Sequence, residues 1–262
     1  MRRAAIAVLA TAVALAGCTP RPAPRPPAPR GALPAAEQLD AAVAARRATL
    51  QSLRAWARLS YESPEESRKV KQLLIAERPD RLRMELFSPF GAVFVLAAAD
   101  GRLAAYDRGT STVYRGAATA ANLQRYTQVG LPVDDAVALL LGAPPTGDGD
   151  DRVVSADGDD IKLWWETAGG ARAAWFSPAL EPLRYEEHAE DGRVLLRATY
   201  GDYRPIDGVR VASQVGFELP QTPLRVGIAL SDIEVNPPLP PTVFAFETPA
   251  GSRLVDLDRG GP

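Results

Sequence analysis

The sequence has few of the side chains on which enzyme and metal chemistry usually depend. Among its 262 residues there are one cysteine, Cys18, and one histidine, His188. One cysteine cannot form an internal disulfide or a thiolate metal site. One histidine, in a chain without a nucleophile elbow, gives no hydrolase triad. We therefore interpret His188 as a solvated strand residue and expect no enzyme, no cofactor and no metal.

One acidic loop suggests calcium, and its spacing argues against it. Asp148, Asp150 and Asp151 lie close together in the segment TGDGDDR. An EF-hand loop would need an oxygen ligand two residues after Asp150, where Arg152 stands, and a glutamate at its twelfth place. Neither requirement is met, so we expect a solvated loop.

Basic charge and long apolar runs are scarce as well. The chain has 30 lysines and arginines against 32 aspartates and glutamates. A chain without a basic excess matches nucleic acid poorly, and we expect no nucleic-acid partner. The apolar run Ala4–Ala14 is too short to span a bilayer as a stable helix. Its place at the N-terminus indicates a targeting segment.

What the N-terminus does have is a lipoprotein-type signal. Arg2 and Arg3 precede the apolar run, and the sequence LAGC follows it at residues 15–18. This order resembles a bacterial lipobox. The resemblance implies that residues 1–17 are a signal peptide and that Cys18 carries a diacylglyceryl thioether, with a further acyl chain such as palmitate on its amine. Two or more acyl chains anchor a protein stably. The alternative is an ordinary secretory signal with a chance cysteine.

Residues 18–35 form a proline-rich segment. Seven prolines stand at positions 20, 22, 24, 26, 27, 29 and 34. Such a segment favours polyproline II, which at ~3.1 Å per residue reaches about 50 Å. We expect a semi-rigid tether that lifts a folded domain, residues 36–262, off the membrane. Its arginines either contact anionic headgroups or only keep the segment soluble.

Alternation of apolar and polar residues dominates the remaining chain. A helical pattern over Glu37–Arg54 gives way to strands, and turns such as Asp100-Gly101 mark hairpins. Two short helices are predicted mid-chain, over 117–126 and 133–141. The series predicts a mainly β (α+β) fold, in which a single strongly curved antiparallel sheet of about eleven strands forms a half-open barrel. The helices would act as a lid over its concave face.

The pattern leaves open whether the lid covers a packed core or an apolar cavity. Candidates for lining a cavity are apolar residues at alternating strand positions, and core packing is the alternative for each of them. Trp164 and Trp165 cannot both face inward from one regular strand. The candidates are Leu82, Met84, Leu86, Phe94, Leu96, Leu163, Trp165, Trp175, Val211, Val215, Phe217, Ile228 and Leu230.

One turn carries a residue that turns rarely carry. Ser88-Pro89-Phe90-Gly91 joins the apolar runs Arg81–Phe87 and Ala92–Ala99. Proline and glycine suit positions i+1 and i+3 of a type I turn, which leaves Phe90 at the apex. An aromatic ring there is either exposed and available to lipid or folded back onto its own sheet.

Three stretches, by their order and spacing, resemble the LolA/LolB superfamily of periplasmic lipoprotein carriers and outer-membrane receptors. RLRMELFSPFGAVFVL at 81–96 resembles the LolB hairpin, and VGLPVDDAVALLLGAP at 129–144 resembles the mid-chain helix. VFAFETPAGSRLVD at 243–256 is similar to a LolA-type ending. With the lipobox, the chain is closest to the LolB type, which is itself a lipoprotein.

The resemblance implies a cavity that holds acyl chains and a membrane-insertion tip formed by Pro89, Phe90 and Gly91. It implies a monomer anchored in the outer membrane by its lipid, with the domain facing the periplasm. Such a protein receives lipoproteins or other lipids, with a LolA-like carrier among its partners, and inserts them into the membrane. A non-transporting envelope scaffold or sensor of the same fold stays open as the alternative.

Overall fold

The computed structural model describes residues 32–146 and 152–259, in which one sheet of 14 strands dominates. Cys18, most of the proline-rich segment and Asp148 to Asp151 lie outside the described residues. The helices are α1 Ala36–Thr49, α2 Ala120–Thr127 and α3 Val133–Leu140, with a 3₁₀ turn at Pro241–Val243. The strands are β1 Ser52–Glu62, β2 Ser67–Glu77, β3 Arg81–Ser88, β4 Gly91–Ala99, β5 Arg102–Asp107, β6 Thr112–Ala117, β7 Val153–Asp157, β8 Asp160–Thr167, β9 Gly170–Phe176, β10 Pro182–His188, β11 Val194–Ile206, β12 Val209–Leu219, β13 Leu224–Val235 and β14 Arg253–Asp256.

The strands follow one another as hairpins, as the alternation predicts. Their order across the sheet is β14-β6-β5-β4-β3-β2-β1-β13-β12-β11-β10-β9-β8-β7. The first and last long strands, β1 and β13, therefore pair in the middle, while β14 and β7 form the two edges. A sheet this wide curls, and this one stays open. The predicted mainly β fold with a half-open barrel is confirmed.

Two details of the predicted sheet are wrong. It has 14 strands rather than about eleven, and β14 runs parallel to β6, so the sheet is not wholly antiparallel. After β13 the chain crosses the convex face of the first hairpins, where Arg83 Nη1 donates to the Val243 carbonyl over 2.9 Å. It then reaches β6 from outside the hairpin series, which permits a parallel pairing. A strand of four residues carries too little periodicity to predict.

The first helix ends five residues earlier than the pattern predicts, at Thr49 rather than at Arg54. Beyond it, Leu53, Ala55 and Ala57 are buried at the two-residue period of a strand. The Asn236 side-chain oxygen accepts hydrogen bonds from the backbone N–H groups of Gln51 and Ser52, over 2.8 and 3.0 Å. Pairing with β2 on one side and β13 on the other satisfies the backbone here, so sheet formation prevails over helix propagation.

All three helices bury side chains in the core on the concave face of the sheet. Leu39 and Val43 of α1 are buried there, as are Leu123 of α2 and Leu139 of α3. Helix α3 packs against β2 and β3. The convex face carries charged pairs instead, such as Arg197 with Glu218 at 2.9 Å. The predicted lid over the concave face is therefore present.

Candidate functional site

A cavity of about 370 Å³ lies between the concave face of the sheet and the helices α2 and α3. Its floor comes from β1 to β4, β12 and β13, and its roof from α2, α3 and the loop between them. The wall is apolar except for a few polar groups described below. Its lining residues are Leu59, Tyr61, Gln72, Leu74, Leu82, Met84, Leu86, Phe94, Leu123, Arg125, Tyr126, Thr127, Gln128, Val129, Leu131, Ala136, Leu140, Phe217, Val226 and Ile228.

The roof of the cavity is held by local hydrogen bonds. Thr119 caps the N-terminus of helix α2, and its hydroxyl oxygen accepts from the Asn122 backbone N–H over 3.1 Å. Gln128 caps the C-terminus of the helix with φ 63°, in the left-handed region. The Thr127 hydroxyl donates to the Leu123 carbonyl over 3.0 Å and accepts from the Val129 N–H over 3.2 Å. These bonds keep the loop between α2 and α3 over the cavity without filling it.

Aromatic side chains close one side of the cavity. Tyr126 packs against Phe94, with ring centroids 5.7 Å apart, and against Tyr114, at 6.0 Å. Burial raises the pKa of Tyr126 to about 12, with Tyr114 adding to the effect. Its hydroxyl is therefore neutral at physiological pH. Arg125 of α2 and Gln128, the residue after α2, stand exposed at the margin of the cavity, so polarity increases from the interior of the cavity towards solvent.

The β3–β4 turn holds Phe90 in solvent, with 88% of the residue exposed. The Ser88 hydroxyl accepts from the Phe90 N–H over 3.2 Å and lies 3.2 Å from the Gly91 carbonyl. Arg108, from the neighbouring β5–β6 turn, donates to the Phe90 carbonyl over 3.1 Å. Gly91 has φ 106°, a backbone conformation that favours glycine. The turn is therefore braced while its aromatic ring projects outward.

The exposed turn and the cavity occupy the same end of the sheet. Leu86 and Phe94 of the cavity wall pair with each other, and the hairpin closes two residues beyond Leu86, where Ser88 pairs with Gly91. Phe90 is four residues from Phe94, which corresponds to about 13 Å along an extended strand. Tyr61 pairs with Arg68 next to the β1–β2 turn at this same end.

The thirteen lining candidates separate into three groups. Leu82, Met84, Leu86, Phe94, Phe217 and Ile228 line the cavity. Leu96, Leu163, Trp165, Val211, Val215 and Leu230 are buried in the core and do not line it. Trp175 is the one residue of the set on the opposite, convex face.

The position of Trp175 corrects the expectation that it faces inward. It pairs with Lys162 and Arg184, whose side chains share its face. The Arg184 guanidinium stacks 3.6 Å from the centre of its ring, and the indole N–H donates to Asp157 over 2.6 Å. Charged side chains cover Trp175 on the convex face, so the prediction that it faces the cavity is wrong. Trp164 and Trp165 do point to opposite faces: Trp165 is fully buried, whereas Trp164 packs against His188 at 4.9 Å.

Several cavity residues had no sequence-based prediction. Leu59, Tyr61 and Leu74 follow the same alternation as the predicted strands. Knowledge of which strands pair with β1 and β2, and in what register, would have placed them on the concave face. The residues of the α2–α3 loop carry no periodic signal. Gln72 occupies an inward position of β2, between apolar neighbours on that face, and a polar residue there breaks the pattern that was used to choose candidates.

Metal-binding and histidine-based sites are the alternatives to the cavity in the described residues. Within 32–146 and 152–259 there is no cluster of three or more side chains suited to hold a metal ion. The prediction of a solvated His188 is wrong: its side chain is 11% exposed, its ring packs against Trp164, and Nε2 lies 3.1 Å from a Glu186 oxygen. None of the helices in the described part of the chain has the length and apolar character needed to cross a bilayer.

Comparisons with known proteins identify the fold and no more. No family model matches the sequence, and no curated protein matches it. Many solved structures are similar to this chain, and three of them have 13–15% identity. A LolA superfamily protein from Nitrosomonas europaea has TM-score 0.58 and 13% identity, over 80% of this chain and 97% of that one.

Two further solved structures are similar to the chain over a comparable length. A DUF1329 family protein from Desulfovibrio piger has TM-score 0.56 and 15% identity, over 80% of this chain and 94% of that one. A domain named for outer membrane lipoprotein sorting, from Vibrio parahaemolyticus, has TM-score 0.55 and 14% identity, over 80% and 97%. The chain therefore has a LolA-like fold.

Proposed function

We propose that this protein is an outer-membrane lipoprotein of the LolB type, which takes acyl chains into its cavity and inserts the attached lipoproteins or lipids into the membrane. The observation that carries the proposal is an apolar cavity of about 370 Å³ at the same end of the sheet as the exposed Phe90. The cavity accounts for binding and the tip for delivery.

The volume and lining of the cavity suit hydrocarbon. Ligand sites commonly measure about 300–1,000 Å³, and a smaller apolar cavity of about 150 Å³ in another protein stays dry and binds benzene. Each CH₂ group that leaves water for such a wall contributes about 0.8 kcal/mol. Six of them would contribute about 5 kcal/mol, so cargo can move downhill between successive apolar sites without ATP.

The tip suits the bilayer interface. Moving a phenylalanine side chain out of water contributes about 1.5–3 kcal/mol, which in Phe90 is not yet gained within the protein. The braced turn presents the ring at little conformational cost. We further propose that residues 1–17 are removed, that Cys18 carries the lipid anchor, and that the tether at 18–35 gives the domain reach over the periplasmic face. A LolA-like carrier would be the donor.

Filling the cavity tests the binding step. Met84→Trp adds an indole at the centre of the floor, and we expect affinity for a fluorescent fatty acid to fall at least tenfold. Leu195→Trp makes a similar addition on the exposed face of β11 and should leave binding unchanged. Both variants are made in the full chain with Cys18→Ser to prevent lipidation. Equal binding by Met84→Trp and its parent would refute the cavity as the site, and a parent that binds no fatty acid would leave only a scaffold role.

A further inference from the structure

The cavity wall contains one deeply buried amide, that of Gln72. This residue is 3% exposed and lies on β2 opposite Ala57 of β1 and Leu86 of β3. Its side chain lines the cavity together with Leu74, Leu59 and Leu86. A polar group in such a wall costs free energy unless it is hydrogen-bonded.

Within residues 32–146 and 152–259, neither the oxygen nor the nitrogen of the Gln72 amide has a hydrogen-bond partner. The other polar lining groups differ from it. Thr127 is satisfied by the Leu123 carbonyl, and Arg125 and Gln128 reach solvent at the margin. Tyr61 and Tyr126 are only partly buried. Gln72 is thus the polar lining residue of the described ranges that is buried and has no hydrogen bond within them, and its amide atoms open onto the cavity instead of being enclosed by protein. Because most buried polar groups are paired, an unpaired one that faces a cavity indicates a missing polar partner.

The position of Gln72 along the cavity indicates which part of a ligand meets it. Leu74 and Met84 pair with each other one step deeper, and Ala76 pairs with Leu82 two residues beyond. Towards the turns, Tyr61 and the α2–α3 loop lead to the exposed margin. A ligand with a hydrogen-bonding group at Gln72 would therefore place hydrocarbon against Leu74, Met84 and Leu82, and its remaining part towards solvent.

We propose that the Gln72 NH₂ group donates a hydrogen bond to the carbonyl oxygen of the ester or amide through which an acyl chain is attached. This inference rests on the proposed function and specifies which chemical group of the cargo the cavity recognises. The cavity would select O-acyl and N-acyl groups over hydrocarbon chains of the same length that lack a carbonyl, such as alkyl ethers. For an N-acyl group, the Gln72 oxygen can also accept from the ligand N–H, which the amide geometry permits.

The test compares two neutral ligands of equal length, methyl laurate and the corresponding methyl alkyl ether. Each displaces the probe N-phenyl-1-naphthylamine from the full chain carrying Cys18→Ser. Satisfying an otherwise unpaired buried amide changes affinity by about tenfold, so the ester should bind about tenfold more tightly than the ether. Gln72→Leu should bind both ligands equally and should bind the ether at least as tightly as the parent does.

Control variants separate this role from a structural one. Gln214→Leu replaces an exposed strand glutamine and should keep the tenfold preference for the ester. Gln72→Met, unbranched like glutamine, is the second variant if Gln72→Leu does not fold. Equal binding of ester and ether by the parent, or an unchanged preference in the Gln72 variants, overturns the inference while leaving the proposed function supported. A parent that binds neither ligand overturns both.

Discussion

Counted across the strand order, the two ends of the sheet lie under one lid and differ in what occupies the space beneath it. These two ends are distinct from the turn-bearing edge at which Phe90 stands. On β8, β9 and β10 the inward positions hold Trp165, Phe176 and Tyr185, which are fully buried. We call this region the filled end. On β1 to β4 the inward positions hold mostly aliphatic side chains such as Leu74 and Leu82, with Phe94 and Tyr61 towards the turns, and the cavity lies above them. We call that region the hollow end.

The difference follows from the reach of the side chains. Large aromatic residues bury about 150–250 Å² each and can meet a helix across a concave sheet. Leucine on the same curvature meets its strand neighbours and leaves the centre empty. In the filled end the Tyr185 hydroxyl donates to Glu187 over 2.8 Å, although the buried Trp165 indole N–H has no partner among the described residues. At the hollow end the Gln72 amide faces the cavity and likewise has no partner among them.

The largest expected effect comes from removing a ring at each end. Phe176→Ala should lower the free energy of unfolding by about 3–5 kcal/mol, because a close-packed interior cannot relax around the void. Phe94→Ala should lower it by about 1–2 kcal/mol, since Phe94 is half-buried and already borders the cavity. Urea denaturation of both variants measures the two values.

The matched substitutions make this comparison direct, because the same atoms are removed from the same sheet. Equal losses for Phe176→Ala and Phe94→Ala would contradict it and would mean that the hollow end is as tightly packed as the filled one.

The next effect concerns the turn at the hollow end. Phe90→Glu replaces the exposed ring by a charge, and we expect transfer of cargo to liposomes to slow by about tenfold, corresponding to the loss of about 1.4 kcal/mol of insertion free energy. Binding of a fluorescent fatty acid should not change, because Phe90 does not line the cavity. Transfer is measured by fluorescence on mixing loaded protein with vesicles.

Thr222→Glu is the control for the charge itself. Thr222 lies exposed in the β12–β13 turn, on the same turn-bearing edge of the sheet as Phe90. The substitution Thr222→Glu therefore adds the same charge at this edge without removing a ring. Transfer by Thr222→Glu should match that of the parent. If both variants are slowed alike, repulsion from the membrane rather than loss of the ring explains the result.

Much of this organisation could be predicted from the sequence, because hairpins are local. Turn chemistry around Asp100-Gly101 and the alternation along β3 and β4 depend on near neighbours, and the sheet formed as those patterns predict. The turn itself predicted that Phe90 would be at the apex. The structure adds that Ser88 and Arg108 brace the turn, which depends on a strand two positions away in the sheet.

Which residues line the cavity could not be predicted in full from the alternation of apolar and polar positions. Alternation divides a strand into two faces without saying which is concave, and it places Trp175 among the inward candidates although Arg184 and Asp157 cover it on the convex face. Gln72 was missed because polar residues were taken to face outward. The end of α1 was missed because β2 and β13, remote in sequence, recruit residues 52–57 into the sheet.

The smallest expected effect lies on α3, which borders both ends. Its Ala136 and Leu140 line the cavity, while burial raises the pKa of Asp135, with Asp134 adding to the effect and Arg172 of the filled end opposing it. The folded protein then holds this proton to a higher pH than the unfolded chain, so ionisation of Asp135 costs stability as the pH rises above the ordinary value of 3.8. Asp135→Asn should therefore stabilise the protein at pH 7, by less than about 1 kcal/mol for a partly exposed group, and the gain should disappear near pH 3.

Asp134→Asn removes the same charge from the same helical turn at an exposed position. Because acidic side chains stabilise the first turn of a helix, this variant should be slightly less stable than the parent at pH 7. Urea denaturation of both variants at the two pH values distinguishes burial from the helix dipole. A gain for Asp135→Asn that persists at low pH would show that packing, and not charge, sets its contribution.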